Sequence, residues 1–123
     1  MKTTFQTFTG IVIGYGSIGR RHAKVLSQRA QTLIIVDTTD AARKAAAADH
    51  QDAKIVDEFR HLDANKFRWD ETLPVISSWG PSHARLFHSL VDLGVRHILC
   101  EKPMASSVRD AEMMVQRAQQ EGV

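Results

Sequence analysis

TGIVIGYGSIGRRH, at residues 9–22, is an apolar run that breaks into Gly-x-Gly-x-x-Gly and continues as a helical pattern. This order predicts a strand, a tight turn and a helix. Gly14 permits the sharp turn, Gly16 lets a pyrophosphate approach the backbone, and Gly19 lets the helix pack closely on the strand. The free amide groups at the start of the helix can then bind an anion.

An acidic residue follows the next apolar run at the spacing that a dinucleotide fold requires. Residues 31–36 form an almost uninterrupted apolar run, and Asp37 follows it, 37 − 14 = 23 residues after Gly14, where a ribose-binding acid belongs. A carboxylate there accepts hydrogen bonds from both ribose hydroxyls and repels a 2′-phosphate, which favours NAD over NADP. The alternative is that Asp37 only flanks the next helix. Arg43 and Lys44 are expected on a solvated face of that helix.

The rest of the chain alternates apolar runs with helical patterns. The predicted strands cover residues 11–13, 31–36, 53–56, 72–78 and 95–100. Four helices are predicted: the first follows the glycine turn, the second contains the alanine-rich run 41–48, the third begins at Gly80-Pro81, and the last follows the cap at Ser107. Such alternation favours right-handed crossovers and a doubly wound parallel sheet, which is a three-layer α/β/α Rossmann fold with strand order 3-2-1-4-5.

Apolar spacing also predicts which helix residues face the sheet. Thr38 or Thr39 is the predicted cap of the second helix, and Ser107 with Asp110 forms a capping box for the last one. The predicted inward residues of the first helix are Ile18, His22, Val25, Leu26 and Arg29, and those of the last helix are Val108, Ala111, Met114, Val115 and Ala118.

The polar and glycine residues cluster where predicted strands end. The glycine turn, Asp37, residues 78–83 and residues 101–103 each follow a strand. Since the carboxyl ends of parallel strands share one edge of the sheet, these segments are expected to meet at the switch point between the first and fourth strands. The sequence therefore predicts one ligand-binding cleft there.

Composition restricts the classes of partner and compartment. The 123 residues are 43% apolar and 24% charged, as expected for a single domain, and the formal charge of +2 is too small to favour nucleic acid or membrane. Cys100 is the only cysteine, so no internal disulfide can form. Neither a signal peptide nor a membrane span is visible, and the histidines are not spaced as metal ligands. We expect a cytoplasmic protein without a metal, whose partner is a small molecule.

Together, these motifs resemble the amino-terminal domain of the glucose-fructose oxidoreductase / inositol dehydrogenase (Gfo/Idh/MocA) family. The resemblance covers nearly the whole chain and depends on residues 14–22, Asp37, Trp79-Gly80-Pro81-Ser82-His83 and, most specifically, Glu101-Lys102-Pro103. It implies hydride transfer between NAD and a hydroxyl of a sugar or cyclitol. The sequence departs from the family after the fourth strand, where Ser-Trp-Gly-Pro replaces a Thr-Pro-Asn-like turn.

The resemblance also implies roles for individual residues. Lys102 is the predicted catalytic residue beside the nicotinamide and the substrate, although a lysine after a buried strand is also an ordinary surface residue. Glu101 either orients Lys102 or touches the ribose, and His83 either contacts the ligand or packs. The predicted cofactor-binding residues are Gly14, Gly16, Ser17, Ile18, Gly19, Asp37, Ser78, Pro81, His83, Glu101 and Lys102.

Family members have a second domain that forms most of the substrate pocket, and the 123 residues do not include it. We therefore expect the chain to be the cofactor half of an oxidoreductase and inactive by itself. The alternative function is a free-standing module that senses NAD(H), for which a lysine at the hydride site is unnecessary. The last predicted strand, residues 95–100, is a sheet edge, and exposed edges recruit partners, so a homo-oligomer is also expected.

Overall fold

A five-stranded parallel sheet forms the centre of the computed structural model, which describes residues 7–123. The strands are β1 (Thr9–Ile13), β2 (Thr32–Val36), β3 (Lys54–Val56), β4 (Thr72–Ile76) and β5 (Leu99–Cys100). Their order, β3-β2-β1-β4-β5, confirms the predicted order. Ile13 pairs with Val36 on one side and with Ile76 on the other, so the three central strands end level and the loops that follow them meet.

Helices cover both faces of the sheet and confirm the three-layer prediction. They are α1 (Ser17–Ser27), α2 (Asp40–Asp49), α3 (His83–Asp92) and α4 (Val108–Glu121). In β1, Val12 packs with α1 and α2, whereas Ile11 and Ile13 pack with α3 and α4. The strands are apolar on both faces because both faces are covered.

The two predicted helix caps are present. Thr39 Oγ1 accepts a hydrogen bond from the amide of Ala42 at 3.3 Å, and Ser107 Oγ accepts one from the amide of Asp110 at 3.1 Å. Each hydroxyl satisfies an amide that the helix itself leaves unpaired, and so each fixes the start of its helix.

The buried face of α1 differs from the predicted one. Gly19, Ala23 and Leu26 are buried, whereas Ile18 and Val25 are 38% and 54% exposed. Arg29 lies beyond the end of α1 at Ser27. The reason is that Gly19 must touch the glycine turn, and this contact rotates the helix away from the apolar face that spacing alone suggested.

The carboxyl-terminal part also differs from the prediction. β5 is only Leu99–Cys100 instead of residues 95–100, because Val95 turns inward at the end of α3, where its amide donates to the carbonyl of Leu90. With so short a strand beside it, α4 packs mainly on α3. Met114 of α4 is buried, but Val108 and Val115 are 75% and 44% exposed, so the predicted inward face of α4 was too wide. The predicted lead-in arm, residues 1–8, lies largely outside the described residues.

Candidate functional site

Two of the three motif glycines are required by the packing of the protein itself. Gly14 has a φ of +100°, and a Cβ added to it would lie 2.5 Å from the Cα of Ser78 at the end of β4. A Cβ added to Gly19 would overlap the carbonyl oxygen of Gly14. The turn, α1 and β4 therefore touch backbone to backbone, which only glycine permits.

Gly16 has a different environment. Its φ is −84°, which any residue can adopt, and apart from its two chain neighbours no described residue has an atom within 4 Å of an added Cβ. Gly16 stands at the N-cap of α1 and has no side chain with which to cap the helix. Gly16, Ser17 and Ile18 are all exposed, and no side chain caps the amide groups at the start of α1, as an anion site requires.

Asp37 is held by two segments at the end of β2. Its Oδ2 accepts a hydrogen bond from the amide of Tyr15 at 2.8 Å, and its Oδ1 accepts from the amide and the hydroxyl of Thr39 at 2.8 and 3.0 Å. Each carboxylate oxygen can accept more than one hydrogen bond, so capacity remains for a ligand. Asp37 thus supports the N-cap residue of α2 and also lines the cleft described below.

The sequence did not predict a hydrogen-bonded network that joins Tyr15, Arg20 and Asp49. The Tyr15 hydroxyl donates to Asp49 Oδ2 at 2.6 Å, and Arg20 Nη2 lies 3.0 Å from the same oxygen. Burial, together with Asp49, raises the pKa of Tyr15 to about 12. The hydrogen bond from Tyr15 lowers the pKa of Asp49. Tyr15 and Asp49 are 34 residues apart, and no local pattern indicates that they pair.

The segment after β5 is joined to α1. His22 Nε2 lies 2.8 Å from Glu101 Oε1, and Glu101 Oε2 accepts a hydrogen bond from the amide of Lys102 at 3.2 Å. The bond with His22, followed by that from the Lys102 amide, lowers the pKa of Glu101. Both carboxylate oxygens are therefore engaged with the protein, which supports an orienting role for Glu101. The Lys102 residue is exposed.

His83 joins the turn after β4 to the same segment. Its Nδ1 lies 2.7 Å from the carbonyl oxygen of Pro103, and its Nε2 lies 2.8 Å from that of Ser78. Only 1% of the residue is exposed. Of the two roles considered for His83, this geometry supports packing, because almost no surface remains with which to contact a ligand.

A cleft of about 630 Å³ lies over the ends of β1, β2 and β4. It is large enough for much of a nucleotide. Its lining includes four of the predicted cofactor-binding residues, namely Gly14, Gly16, Asp37 and Ser78. The other seven predicted residues lie outside this lining, namely Ser17, Ile18, Gly19, Pro81, His83, Glu101 and Lys102. The lining also includes four residues that the sequence did not predict as binding residues, namely Glu58, Phe59, Trp79 and Arg85. Of these, only Trp79 had a signal in the sequence, because it begins the motif of residues 79–83.

Within residues 7–123, no three side chains of His, Cys, Asp or Glu are grouped as metal ligands would be. None of the helices in this range has the length and apolar character needed to cross a membrane.

The chain is similar to one protein family and to several curated proteins. The sequence model of an oxidoreductase family with an NAD-binding Rossmann fold matches residues 8–123. An inositol 2-dehydrogenase from Serratia proteamaculans is 32% identical over 115 residues, which are 90% of this chain and 33% of that protein. Inositol 2-dehydrogenase 3 from Saccharopolyspora erythraea is 29% identical over 107 residues, 85% of this chain and 30% of that protein. The chain spans about a third of the length of these curated relatives.

Solved structures share the architecture. The WlbA dehydrogenase of Bordetella pertussis, in complex with NADH and UDP-GlcNAcA, superposes with a TM-score of 0.81 at 25% identity, over 99% of this chain and 35% of that one. The scyllo-inositol dehydrogenase of Lactobacillus casei, with bound NAD(H) and scyllo-inositol, has a TM-score of 0.77 at 21% identity, over 94% of this chain and 34% of that one. The second similarity is one of fold alone.

Proposed function

Because the chain belongs to the GFO_IDH_MocA oxidoreductase family, whose domain is an NAD-binding Rossmann fold, we propose that it binds NAD(H) in the cleft beside Gly16 and Asp37. The open space over Gly16 is the observation that carries this proposal. Nothing in the packing of the described chain requires glycine at this position, whereas a pyrophosphate lying against the start of α1 does.

The surroundings of Asp37 favour NAD over NADP. Its carboxylate is already fixed by Tyr15 and Thr39 and can accept from the ribose hydroxyls with little further ordering. The nearby guanidinium of Arg43 donates to the backbone carbonyls of Asp37 and Thr38 at 3.0 and 2.9 Å. Arg43 is therefore engaged with the backbone, and a 2′-phosphate would meet the negative charge of Asp37 first.

For the reaction, we propose oxidation of a hydroxyl of a sugar or cyclitol to a carbonyl, or the reverse reduction, as the names of the relatives suggest. The hydride leaves or reaches the carbon that bears the hydroxyl, and a proton leaves or reaches its oxygen. A bound nicotinamide supplies the hydride chemistry. Lys102 would donate hydrogen bonds to the substrate hydroxyl or to the carboxamide of the cofactor. Its backbone is oriented by Glu101, which is itself held by His22, while His83 holds the neighbouring carbonyl of Pro103.

The 123-residue chain is expected to bind cofactor without appreciable turnover. Lys102 is exposed, and the chain spans about a third of the length of its curated relatives. Without a wall that orients the substrate and excludes water, the contributions of orientation and general acid–base catalysis are lost. Robust turnover of a polyol by the pure chain would contradict this part of the proposal.

Thermal unfolding with NADH, with NADPH and with neither tests the binding proposal. At 100 times the dissociation constant, a ligand that binds only the native state adds about 2.7 kcal/mol to the free energy of unfolding. No upward shift with either cofactor would contradict the proposal.

Asp37→Ser tests the assignment of the ribose. The variant should weaken binding of NADH more than binding of NADPH, because it removes both a ribose acceptor and a charge that repels phosphate. The readout is the ratio of the two affinities, since any loosening of the turn affects both cofactors alike. Asp52→Ser, at an exposed aspartate outside the lining of the cleft, is the matched control. Equal losses for the two cofactors would show that Asp37 does not contact the ribose.

A further inference from the structure

Trp79 is a large apolar side chain left in solvent at the edge of the cleft. It is 78% exposed, and it lies in the turn that follows β4. The other tryptophan, Trp69, is 8% exposed and donates its ring N–H to the carbonyl of Ala64 at 3.0 Å. Trp69 belongs to the core, whereas Trp79 has no comparable part in the packing.

The backbone that carries Trp79 is fixed. The carbonyl of Trp79 accepts hydrogen bonds from the amide and the hydroxyl of Ser82 at 2.9 and 2.6 Å. The hydroxyl of Ser82 also lies 2.6 Å from that of Ser78. On the other side, a Cβ added to Gly80 would lie 3.4 Å from a ring carbon of Pro103, so that this part of the turn packs against the segment after β5. The indole is thus presented to the cleft from a preorganised turn.

The position of Trp79 indicates that it would contact the adenosine end of a bound dinucleotide. Trp79 lines the same cleft as Asp37, the predicted ligand of the adenosine ribose, and Phe59 and Leu86 supply further apolar surface there. Glu101 and Lys102, which are expected at the nicotinamide end, lie outside this lining. A flat base attached to the ribose at Asp37 needs flat apolar surfaces, and an indole is the largest one that a side chain offers.

We propose that Trp79 stacks on the adenine of the bound dinucleotide and closes the cleft opposite Asp37. This inference rests on the proposed NAD(H) binding and adds to it the residue that contacts the base. Stacking of a base on an aromatic side chain is worth roughly 5- to 100-fold in affinity.

Tryptophan fluorescence of the 123-residue chain tests the contact with fragments of the cofactor. ADP-ribose and AMP contain the adenine, whereas nicotinamide mononucleotide does not. We expect ADP-ribose and AMP to change the emission saturably and nicotinamide mononucleotide to leave it unchanged. Trp79→Phe should abolish the change, because the buried Trp69 is then the only remaining tryptophan.

Calorimetry with ADP-ribose supplies a second readout. Trp79→Ala should weaken binding roughly 5- to 100-fold, and Trp79→Phe should restore part of the loss because its ring also stacks. Both variants should unfold like the wild type, since the side chain is 78% exposed.

Three results would overturn the inference. If Trp79→Ala binds ADP-ribose as the wild type does, Trp79 does not contact the adenosine end. If only nicotinamide mononucleotide changes the emission, the indole covers the other end of the cofactor. If the wild type binds neither NAD(H) nor ADP-ribose, the proposed function fails together with the inference, and this result is thereby distinguished from the first two.

Discussion

Gly16→Ala should separate cofactor binding from folding. The backbone at Gly16 is compatible with alanine, and apart from its two chain neighbours no described residue has an atom within 4 Å of the new methyl group. Replacing glycine by alanine reduces the entropy of the unfolded chain, a gain of about 0.4–1 kcal/mol. Alanine is a poorer N-cap residue than glycine, which costs up to about 1 kcal/mol. These effects oppose each other, so the free energy of unfolding should change by less than about 1 kcal/mol.

Binding should respond much more strongly than stability. The methyl group would occupy the space over the start of α1 through which a pyrophosphate reaches the amide groups. Loss of one hydrogen bond to a charged group costs about 1.5–3 kcal/mol, which corresponds to a dissociation constant for NADH raised roughly 10- to 100-fold. The methyl group should therefore hinder binding of the ligand without disturbing the fold, because the protein itself leaves this space open.

Urea unfolding and calorimetric titration with NADH measure the two quantities on the same sample. Gly19→Ala is the matched control, since its methyl group would overlap the carbonyl oxygen of Gly14. That variant should lose both stability and binding. If Gly16→Ala binds NADH as tightly as the wild type, the pyrophosphate does not lie over Gly16, and our interpretation of the turn is wrong.

Two further predictions concern the segment after β5. The bond with His22 holds the pKa of Glu101 below its ordinary value. The pair therefore stabilises the fold at pH values above the pKa of a free glutamate. This contribution is lost as the pH falls through the lowered pKa of Glu101. The urea midpoint of His22→Gln should therefore fall less on acidification than that of the wild type, and identical slopes would contradict this. Leu99 in the edge strand β5 is 40% exposed, and Met104 in the segment after it is 39% exposed. Light scattering should therefore detect self-association at high protein concentration, and Leu99→Lys should reduce it. A wild-type chain that stays monomeric would refute the second prediction.

The sequence predicted those features that depend on neighbouring residues. The glycine turn, Asp37 at the end of β2 and the strand order follow from local patterns and from the handedness of the crossovers. The caps at Thr39 and Ser107 are local in the same sense. Each of these features requires particular residue types at a fixed short spacing, which is why the sequence alone sufficed.

The remaining features depend on contacts between distant residues. The contact of Gly19 with Gly14 sets the rotation of α1. Apolar spacing instead predicted that Val25 faces the sheet, whereas Val25 is exposed. His22 and Glu101 are 79 residues apart, and no residue near either one indicates that they pair. The sequence could not decide whether His83 contacts a ligand or packs, because only the fold shows which carbonyl groups lie next to its ring. Long-range side-chain geometry was therefore beyond the sequence analysis.

The contact between Asp37 and the amide of Tyr15 constrains any attempt to redesign this protein for a different cofactor. The usual first step would be to remove the acid and add a positive charge for the 2′-phosphate. Here the same carboxylate also holds the glycine turn and the N-cap residue of α2. A redesign would have to supply a new acceptor for the Tyr15 amide as well, so the smallest workable set of substitutions extends beyond position 37. Libraries that vary residues 37–39 together are therefore better starting points than single substitutions.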